Sequence, residues 1–265
     1  MGSCPREFID FANRLADTAG DIQRRHFRHH VPVEIKPDGS PVTQADKDSE
    51  RALRERIEAA YPDHGIAGEE YPNVREDAEY TWVLDPIDGT KSFLAGIPMF
   101  GILIALARHG RFVLGVVDQP ILRDRWVGAD GYDTIFNGAA VRTRQCGSLA
   151  DAVLCISGPE DRTKPYDDQI ANLRHAVRWV RYGAECYAYG LLASGFIDLI
   201  VDVGLDDHDF APLGPVVGNA GGSATDWQGN PLTMNSDGRI IVAGDARLLK
   251  DTIACLNRSC GVSTV

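Results

Sequence analysis

Phe8, Phe11, Ala12, Leu15, Ala19 and Ile22 fall three and four residues apart with polar residues between them, so 5–30 is predicted to be an amphipathic helix with one buried stripe. Ala52, Leu53, Ile57 and Ala60 repeat the spacing and predict a second helix over 43–60. Between the two, 33–36 predicts a short strand and Pro37-Asp38-Gly39-Ser40-Pro41 a turn. Residues 63–77 read as loop. At Tyr80 the pattern becomes strand-like. Tyr80-Thr81-Trp82-Val83-Leu84 is a β-prone run that stops at Asp85-Pro86. A hairpin of 100–107 and 111–119 follows, turning at His109-Gly110, and Arg125-Trp126-Val127-Gly128 with Gly131-Tyr132 extends it as an antiparallel meander.

A composition shift over 141–149 predicts a boundary between an α+β subdomain, 1–143, and an α/β subdomain, 144–265. In the second, strands at 152–157, 177–180 and 197–203 alternate with helices at 168–175, 186–193 and 209–219, the last closed by Gly221-Gly222.

Composition narrows the class. With 265 residues, 44% hydrophobic and 25% charged, the chain can bury a sizeable core, and disordered and fibrous classes are excluded. Lys and Arg number 27 against 38 Asp and Glu, a net charge of −11, which argues against a nucleic-acid-coating surface. It does not argue against phosphate as a ligand, because acids that hold a cation reverse the local sign. The six cysteines, Cys4, Cys146, Cys155, Cys186, Cys255 and Cys260, show no C-x-x-C spacing and are expected to be buried thiols in a reducing compartment. The N-terminus lacks the basic start and apolar run of a signal peptide, and no run of about 18 apolar residues exists, so a soluble cytoplasmic protein is expected. Without a secretory context the Asn257-Arg258-Ser259 sequon reads as chance. The His26-Phe27-Arg28-His29-His30 cluster reads as a polar helix end.

The densest chemical signal is Trp82-Val83-Leu84-Asp85-Pro86-Ile87-Asp88-Gly89-Thr90. Pro86 fixes its own φ and restricts Asp85, so both carboxylates can face one side of a tight turn. Clustered carboxylates repel unless a cation joins them, and hard cations such as Mg²⁺ prefer oxygen ligands. Gly89 and Thr90 would open a helix whose free N–H groups suit a phosphate. Asp-Pro and Asp-Gly are also ordinary turn formers, and that reading stays open for the motif alone. Further acids stand at Gly68-Glu69-Glu70, at Asp46 after Lys36 and Thr43, and at His208-Asp209. No G-x-x-x-x-G-K-[ST] loop is present, which weighs against a nucleotide triphosphatase.

Taken in order, Gly68-Glu69-Glu70, the Trp82 to Thr90 motif, and Asp209 with Ala220-Gly221-Gly222 resemble the inositol monophosphatase superfamily of Mg²⁺-dependent, lithium-sensitive phosphatases, over 36–222. The resemblance implies a layered αβαβα sandwich of the inositol monophosphatase and fructose-1,6-bisphosphatase type, an α/β fold with an α+β N-terminal half, and a homodimer. It implies two or three Mg²⁺ ions. One would be held by Glu69, Asp85 and the Ile87 carbonyl, a second by Asp85, Asp88 and Asp209, and a weaker third near Glu69. Asp46 and Thr90 match the pair that positions the attacking water, and the Gly89 and Thr90 amides match the phosphate cradle. Lys36 matches a lysine beside a mobile loop; it either steers an anionic substrate or is simply solvated.

The stretches Asp88-Gly89-Thr90-Lys91-Ser92-Phe93, Gly115 to Leu122, Arg125-Trp126 and Arg181 to Gly190 resemble, within the superfamily, the histidinol-phosphate phosphatases most. Glu185 stands where that subgroup carries an acid, usually aspartate, and Asp202 and Ser157 match substrate-contact positions. An acid facing the leaving group suits a cationic amino alcohol, although Glu185 could instead cap a helix or pair with Arg181. The implied activity is Mg²⁺-dependent hydrolysis of L-histidinol phosphate to L-histidinol and phosphate, a step of histidine biosynthesis. Inositol 1-phosphate or a related sugar phosphate is the alternative substrate, and a non-catalytic binder of metal or phosphate esters is the alternative class. His208 stands where Trp or Tyr is usual, the Asp206-Asp207-His208-Asp209 run is unusually acidic, and Ser157-Gly158-Pro159 departs from the common pattern.

Overall fold

The computed structural model describes residues 2–158 and 166–257. Cys260, Arg258, Ser259 and Pro159 therefore lie outside the described residues. The first apolar stripe becomes the buried face of α1 (Arg6–His26). The helix ends at His26 rather than at 30, because Phe27 leaves it to pack against Phe93 and Phe100. A hairpin of β1 (Val33–Ile35) and β2 (Pro41–Thr43) leads into α2 (Gln44–Ala60). Thr43 caps α2, with Asp46 completing a reciprocal capping box. The buried face of α2 differs from the predicted one: Ala60 is exposed, while Asp46, Ser49 and Glu50 are buried beside Leu53 and Ile57.

The first sheet contains β3 (Gly65–Gly68), β4 (Tyr80–Asp88), β5 (Gly101–Arg108), β6 (Arg111–Gln119), β7 (Asp124–Ala129), β8 (Tyr132–Phe136) and β9 (Ala139–Ala140), in chain order. Only β3 pairs in parallel, with β4, inside a segment expected to be loop. The β4 strand does not stop at Asp85-Pro86. It runs on to Asp88 through a register shift in which Asp85 faces Leu103 and Asp88 faces Gly101. Pro86 has no N–H for the ladder, and a bulge accommodates it. A five-residue helix, α3 (Thr90–Leu94), follows.

In the C-terminal half a second sheet runs, edge to edge, Trp179–Tyr182, Val153–Ile156, Leu199–Asp202, Ile240–Ala243, Ser223–Asp226. Its elements are β10 (Val153–Ile156), α4 (Asp167–Ala176), β11 (Trp179–Tyr182), α5 (Tyr187–Ala193), β12 (Leu199–Asp202), α6 (Asp207–Phe210), α7 (Leu213–Gly218), β13 (Ser223–Asp226), β14 (Ile240–Ala243) and α8 (Ala246–Leu256). The helix expected over 209–219 is two helices broken at Pro212, which lacks an N–H donor and crowds the preceding turn. The last two strands and α8 carry no counterpart in the sequence reading.

Alternation along the strands builds the layers. Trp82, Leu84, Ile102 and Ile104 face α1 and α2, whereas Val83, Leu103 and Ala105 face α5, α7 and one side of the second sheet. The other side of that sheet, with Leu154, Leu199 and Ile241, packs under α4 and α8. The order is helices, sheet, helices, sheet, helices, the expected αβαβα sandwich. Among the described residues no helix is long and apolar enough to cross a membrane. Cys4, Cys146, Cys155 and Cys186 are buried free thiols.

The middle helices sit close because β6 and β7 present glycines to α7. A Cβ on Gly115 would lie 2.7 Å from Pro212 Cα, and one on Gly128 2.6 Å from the Pro215 carbonyl carbon. Gly115→Ala is expected to cost about 1–3 kcal/mol through overpacking, read as a lower urea midpoint at unchanged m-value. An unchanged midpoint would show that the layer gap is not set here.

Candidate active site

Asp85 lies on the Val83 side of β4, facing the middle helical layer, and the bulge at Pro86 brings Asp88 round beside it. Gln23 of α1 braces the bulge from behind, its Nε2 donating to the Pro86 carbonyl at 2.5 Å. From the opposite side α6 supplies Asp209, whose Oδ2 accepts the Asp206 N–H at 2.8 Å across the capping box. Asp85, Asp88 and Asp209 each offer an oxygen within 4.8 Å of the others. Asp206, His208 and Asp209 form a second such group.

The cluster lines a cavity of about 240 Å³ that also includes Glu69, Ile87, Gly89, Thr90, Ser157, Glu185 and Asp202. Lys36 spans Glu69 (2.7 Å) and Glu70 (2.8 Å). Asp46, wholly buried, accepts from the Thr43 hydroxyl at 2.5 Å and the Thr43 N–H at 2.9 Å. The Thr90 hydroxyl has one hydrogen and two acceptors in reach, Asp46 Oδ1 at 3.2 Å and the Ile87 carbonyl at 3.1 Å. Of the predicted acids, Glu69, Asp85, Asp88, Glu185, Asp202 and Asp209 line the cleft, whereas Asp46 lies buried behind it and meets it only through Thr90. Asp202 lines it, but its oxygens accept from the Tyr189 hydroxyl (2.6 Å) and the Ser157 N–H (2.9 Å). Its carboxylate therefore holds other wall residues in place.

Glu185 enters on a strained connection. Gly183, Ala184 and Glu185 have φ of 78°, 78° and 45°, and left-handed geometry is costly for the two that carry a Cβ. The next residue returns to α5 and donates its N–H to Asp88 Oδ2 at 2.6 Å, so one backbone excursion fixes Asp88 and delivers Glu185 together. Ser92 of α3 donates to Glu185 Oε1 at 3.1 Å.

The electrostatics of this set call for positive charge. Burial pushes the Asp85 carboxyl well above the usual range, and Glu69, Asp88 and Asp209 push it further. Burial raises Asp88 too, with Glu185 and Asp209 adding to it. Asp209 is raised by burial despite the neighbouring His208. Burial lifts Glu70 to about 7 against the pull of Lys36. Burial alone would lower His208, but its bond with Asp207 and the charge of Asp209 override that and lift it to about 9. Asp85 Oδ1 is buried with no protein hydrogen-bond partner. An orphaned carboxylate oxygen amid further acids is costly by itself and is the donor set a hard divalent cation accepts.

The inositol monophosphatase family model matches residues 5–261. The chain belongs to the inositol monophosphatase family. It is a phosphatase of that family. It is 41% identical over 258 residues to the chloroplastic bifunctional phosphatase IMPL2 of Arabidopsis thaliana, covering 94% of this chain and 75% of that protein. It is 31% identical over 250 residues to the histidinol-phosphatase of Chlorobaculum parvum, covering 94% and 96%. A solved inositol monophosphatase from Zymomonas mobilis superposes with a TM-score of 0.88 at 43% identity, covering 96% of this chain and 98% of that one.

Ser92, Tyr189 and Gln23 carry no sequence motif that assigns them a role. Each acts on a site residue distant in sequence, and no local pattern marks them. The Glu70 partner of Lys36 was visible in Gly68-Glu69-Glu70 but not assigned.

The raised carboxyls give a pH dependence. With a chelator present, the folded chain holds protons on Asp85, Asp88, Asp209 and Glu70 at pH values where the unfolded chain has lost them. Stability must then fall as pH rises from the unfolded carboxyl range, about 4, towards the folded value of Glu70, about 7. His208, raised to about 9, stabilises below its unfolded value and loses that contribution as pH climbs through the folded one, in the same direction. The melting temperature in chelator is expected to fall steadily from about pH 5 to about pH 8. A flat or rising profile would remove the acid cluster as a source of strain.

Proposed function

We propose that this cleft hydrolyses a small phosphate monoester with Mg²⁺, L-histidinol phosphate being the substrate its residues suit best. The observation that carries the metal reading is the convergence of Asp85, Asp88 and Asp209 around a buried oxygen without a partner. Those three, with Glu69 and the Ile87 carbonyl, would hold two or three ions. When bound, Mg²⁺ neutralises phosphoryl oxygens, favours loss of a proton from water and stabilises the departing alkoxide.

The chain's own groups do the rest. The Thr90 hydroxyl, committing its hydrogen to Asp46 or the Ile87 carbonyl, turns its lone pairs outward to accept from the attacking water. Glu69, tethered by Lys36, stands ready to take the proton that water gives up. The Gly89 and Thr90 amides, at the start of α3, bind phosphoryl oxygens. Ser157, whose N–H and hydroxyl both meet Asp202, lines the cavity where the ester would lie.

For the leaving group the decisive residue is Glu185. A carboxylate anchored by Ser92 in the cavity wall pairs with the ammonium of an amino alcohol and gains little from a neutral cyclitol. Similarity to the Arabidopsis bifunctional phosphatase and to histidinol-phosphatases at 31–33% identity supports this reading. Similarity to the Zymomonas mobilis inositol monophosphatase favours inositol 1-phosphate, the second arm of the test.

The experiment compares kcat/KM for both esters in the parent and in Glu185→Ala. Loss of a charge-assisted hydrogen bond of about 1.5–3 kcal/mol predicts a fall of about ten- to a hundredfold for histidinol phosphate and little change for inositol 1-phosphate. Equal losses on the two would sink the amine-recognition assignment.

A further inference from the structure

We propose that Glu50, working with Arg54, is a positioning residue that sets the Glu69 carboxylate for cation binding. Glu50 lies on the inner face of α2, fully buried and outside the cavity. Its two oxygens are committed to different donors. Oε2 accepts the Glu70 N–H at 2.7 Å, and Oε1 accepts Arg54 Nε at 2.7 Å. The rest of the Arg54 guanidinium donates to the Tyr71 carbonyl at 2.8 Å and the Pro72 carbonyl at 3.0 Å. The Tyr71 hydroxyl returns to the Lys47 carbonyl at 3.2 Å. One turn of α2 thus grips three consecutive residues, Glu70 to Pro72.

The grip begins where it matters for geometry. Gly68 ends β3 opposite Leu84, the residue before Asp85. A Cβ on Gly68 would sit 2.6 Å from Glu50 Cδ, so β3 and the Glu50 carboxylate are in direct apposition. The Glu70 N–H belongs to the peptide plane that leaves Glu69. Holding it fixes the backbone on one side of Glu69, and β3 fixes it on the other. A buried, paired charge does little for net stability compared with an apolar pair. Here it specifies where a loop carboxylate stands.

Glutamine at position 50 is nearly isosteric but has one acceptor oxygen for two donors, so either the Glu70 N–H or Arg54 Nε would face an NH₂ group. The inference rests on the proposed cation site, and its test reads cation binding rather than turnover. Mn²⁺ is titrated calorimetrically into the chelator-treated full chain for the parent, Glu50→Gln and Arg54→Lys, with melting temperatures recorded alongside. Both variants are expected to bind Mn²⁺ about ten- to a hundredfold more weakly, as when a partner of a ligand is removed. If Glu50→Gln does not fold, Arg54→Lys decides on the same readout, since it keeps the charge and removes the fork to Tyr71 and Pro72. A lower melting temperature with parental Mn²⁺ affinity would overturn the positioning role and leave Glu50 structural only. A parent chain that binds no Mn²⁺ would remove the cation site itself, and the role of Glu50 with it.

Discussion

Asp85→Asn is expected to lower kcat by at least about a thousandfold while leaving the chelator-treated protein as stable as the parent or more so. Asp85 is 1% exposed, carries the orphaned oxygen, and is surrounded by Glu69, Asp88, Asp209 and Asp46. In the absence of a cation the folded chain must either bear the Asp85 charge or hold on it a proton that the unfolded chain has lost, and both oppose folding. A neutral amide removes that cost, and its NH₂ can donate to a neighbouring carboxylate. The same change removes an acid that would help hold the ions. If those ions supply about 4 kcal/mol of transition-state stabilisation, the loss is about a thousandfold. Two measurements separate function from fold: kcat at saturating Mg²⁺, and melting temperature with and without Mg²⁺. The parent should gain stability on adding Mg²⁺ and the variant should not. Near-normal turnover would refute the assignment of Asp85. A variant that loses activity and several degrees in chelator would make Asp85 a structural residue.

That opposition between stability and chemistry explains why some of the site was legible in the sequence and some was not. Asp85 and Asp88 could be read because they share one short segment that agrees in order with Gly68-Glu69-Glu70 and Asp209; alone, Asp-Pro and Asp-Gly are ordinary turn formers. The same segment misled about the fold. Asp85-Pro86 has the composition of a turn, yet the strand continues through it as a bulge, because β5 pairs on both sides of the proline. The β3 strand was hidden by its brevity and by the glycines at both ends, which leave no alternation to detect. By contrast Ile240-Ile241-Val242-Ala243 is a continuous apolar run, the signature of a strand buried on both faces, and was available to be read. The break at Pro212 was also available from the missing N–H of proline.

Residues that act on other residues lie beyond that reach. Asp46 and Glu50 fall one turn apart on α2, on a face that also buries Leu53 and Ile57. By local pattern both look like solvated acids; the family resemblance pairs Asp46 with Thr90 and gives Glu50 no role. The tertiary structure shows Asp46 meeting Thr90 and Glu50 meeting the loop of Glu69. The left-handed turn at Ala184-Glu185 is likewise invisible locally, since neither residue favours that geometry; the bond from Cys186 to Asp88 and the contact with Gly89 impose it.

That contact sets up the second large effect. Gly89 has φ 87° and stands against Glu185: a Cβ there would lie 2.7 Å from Glu185 Cγ and 3.2 Å from the Met99 carbonyl. Gly89→Ala therefore adds left-handed strain of about 1–2 kcal/mol and forces either Glu185 or the Asp88-Gly89-Thr90 turn to move. The turn carries the Asp88 carboxylate, two proposed phosphate donors and the Thr90 hydroxyl. A displacement of about 1 Å there is expected to cost about a hundredfold in kcat. Glu185 has little freedom to yield, being held by its own backbone, by Ser92 and through Cys186 by Asp88. The double variant isolates the clash. In a Glu185→Ala background the Cγ atom is gone, so Gly89→Ala should lose distinctly less than it does in the parent, measured on inositol 1-phosphate to keep amine recognition out of the comparison. Equal losses in the two backgrounds would show that the glycine is needed for its backbone angle alone and that Glu185 does not buttress the turn.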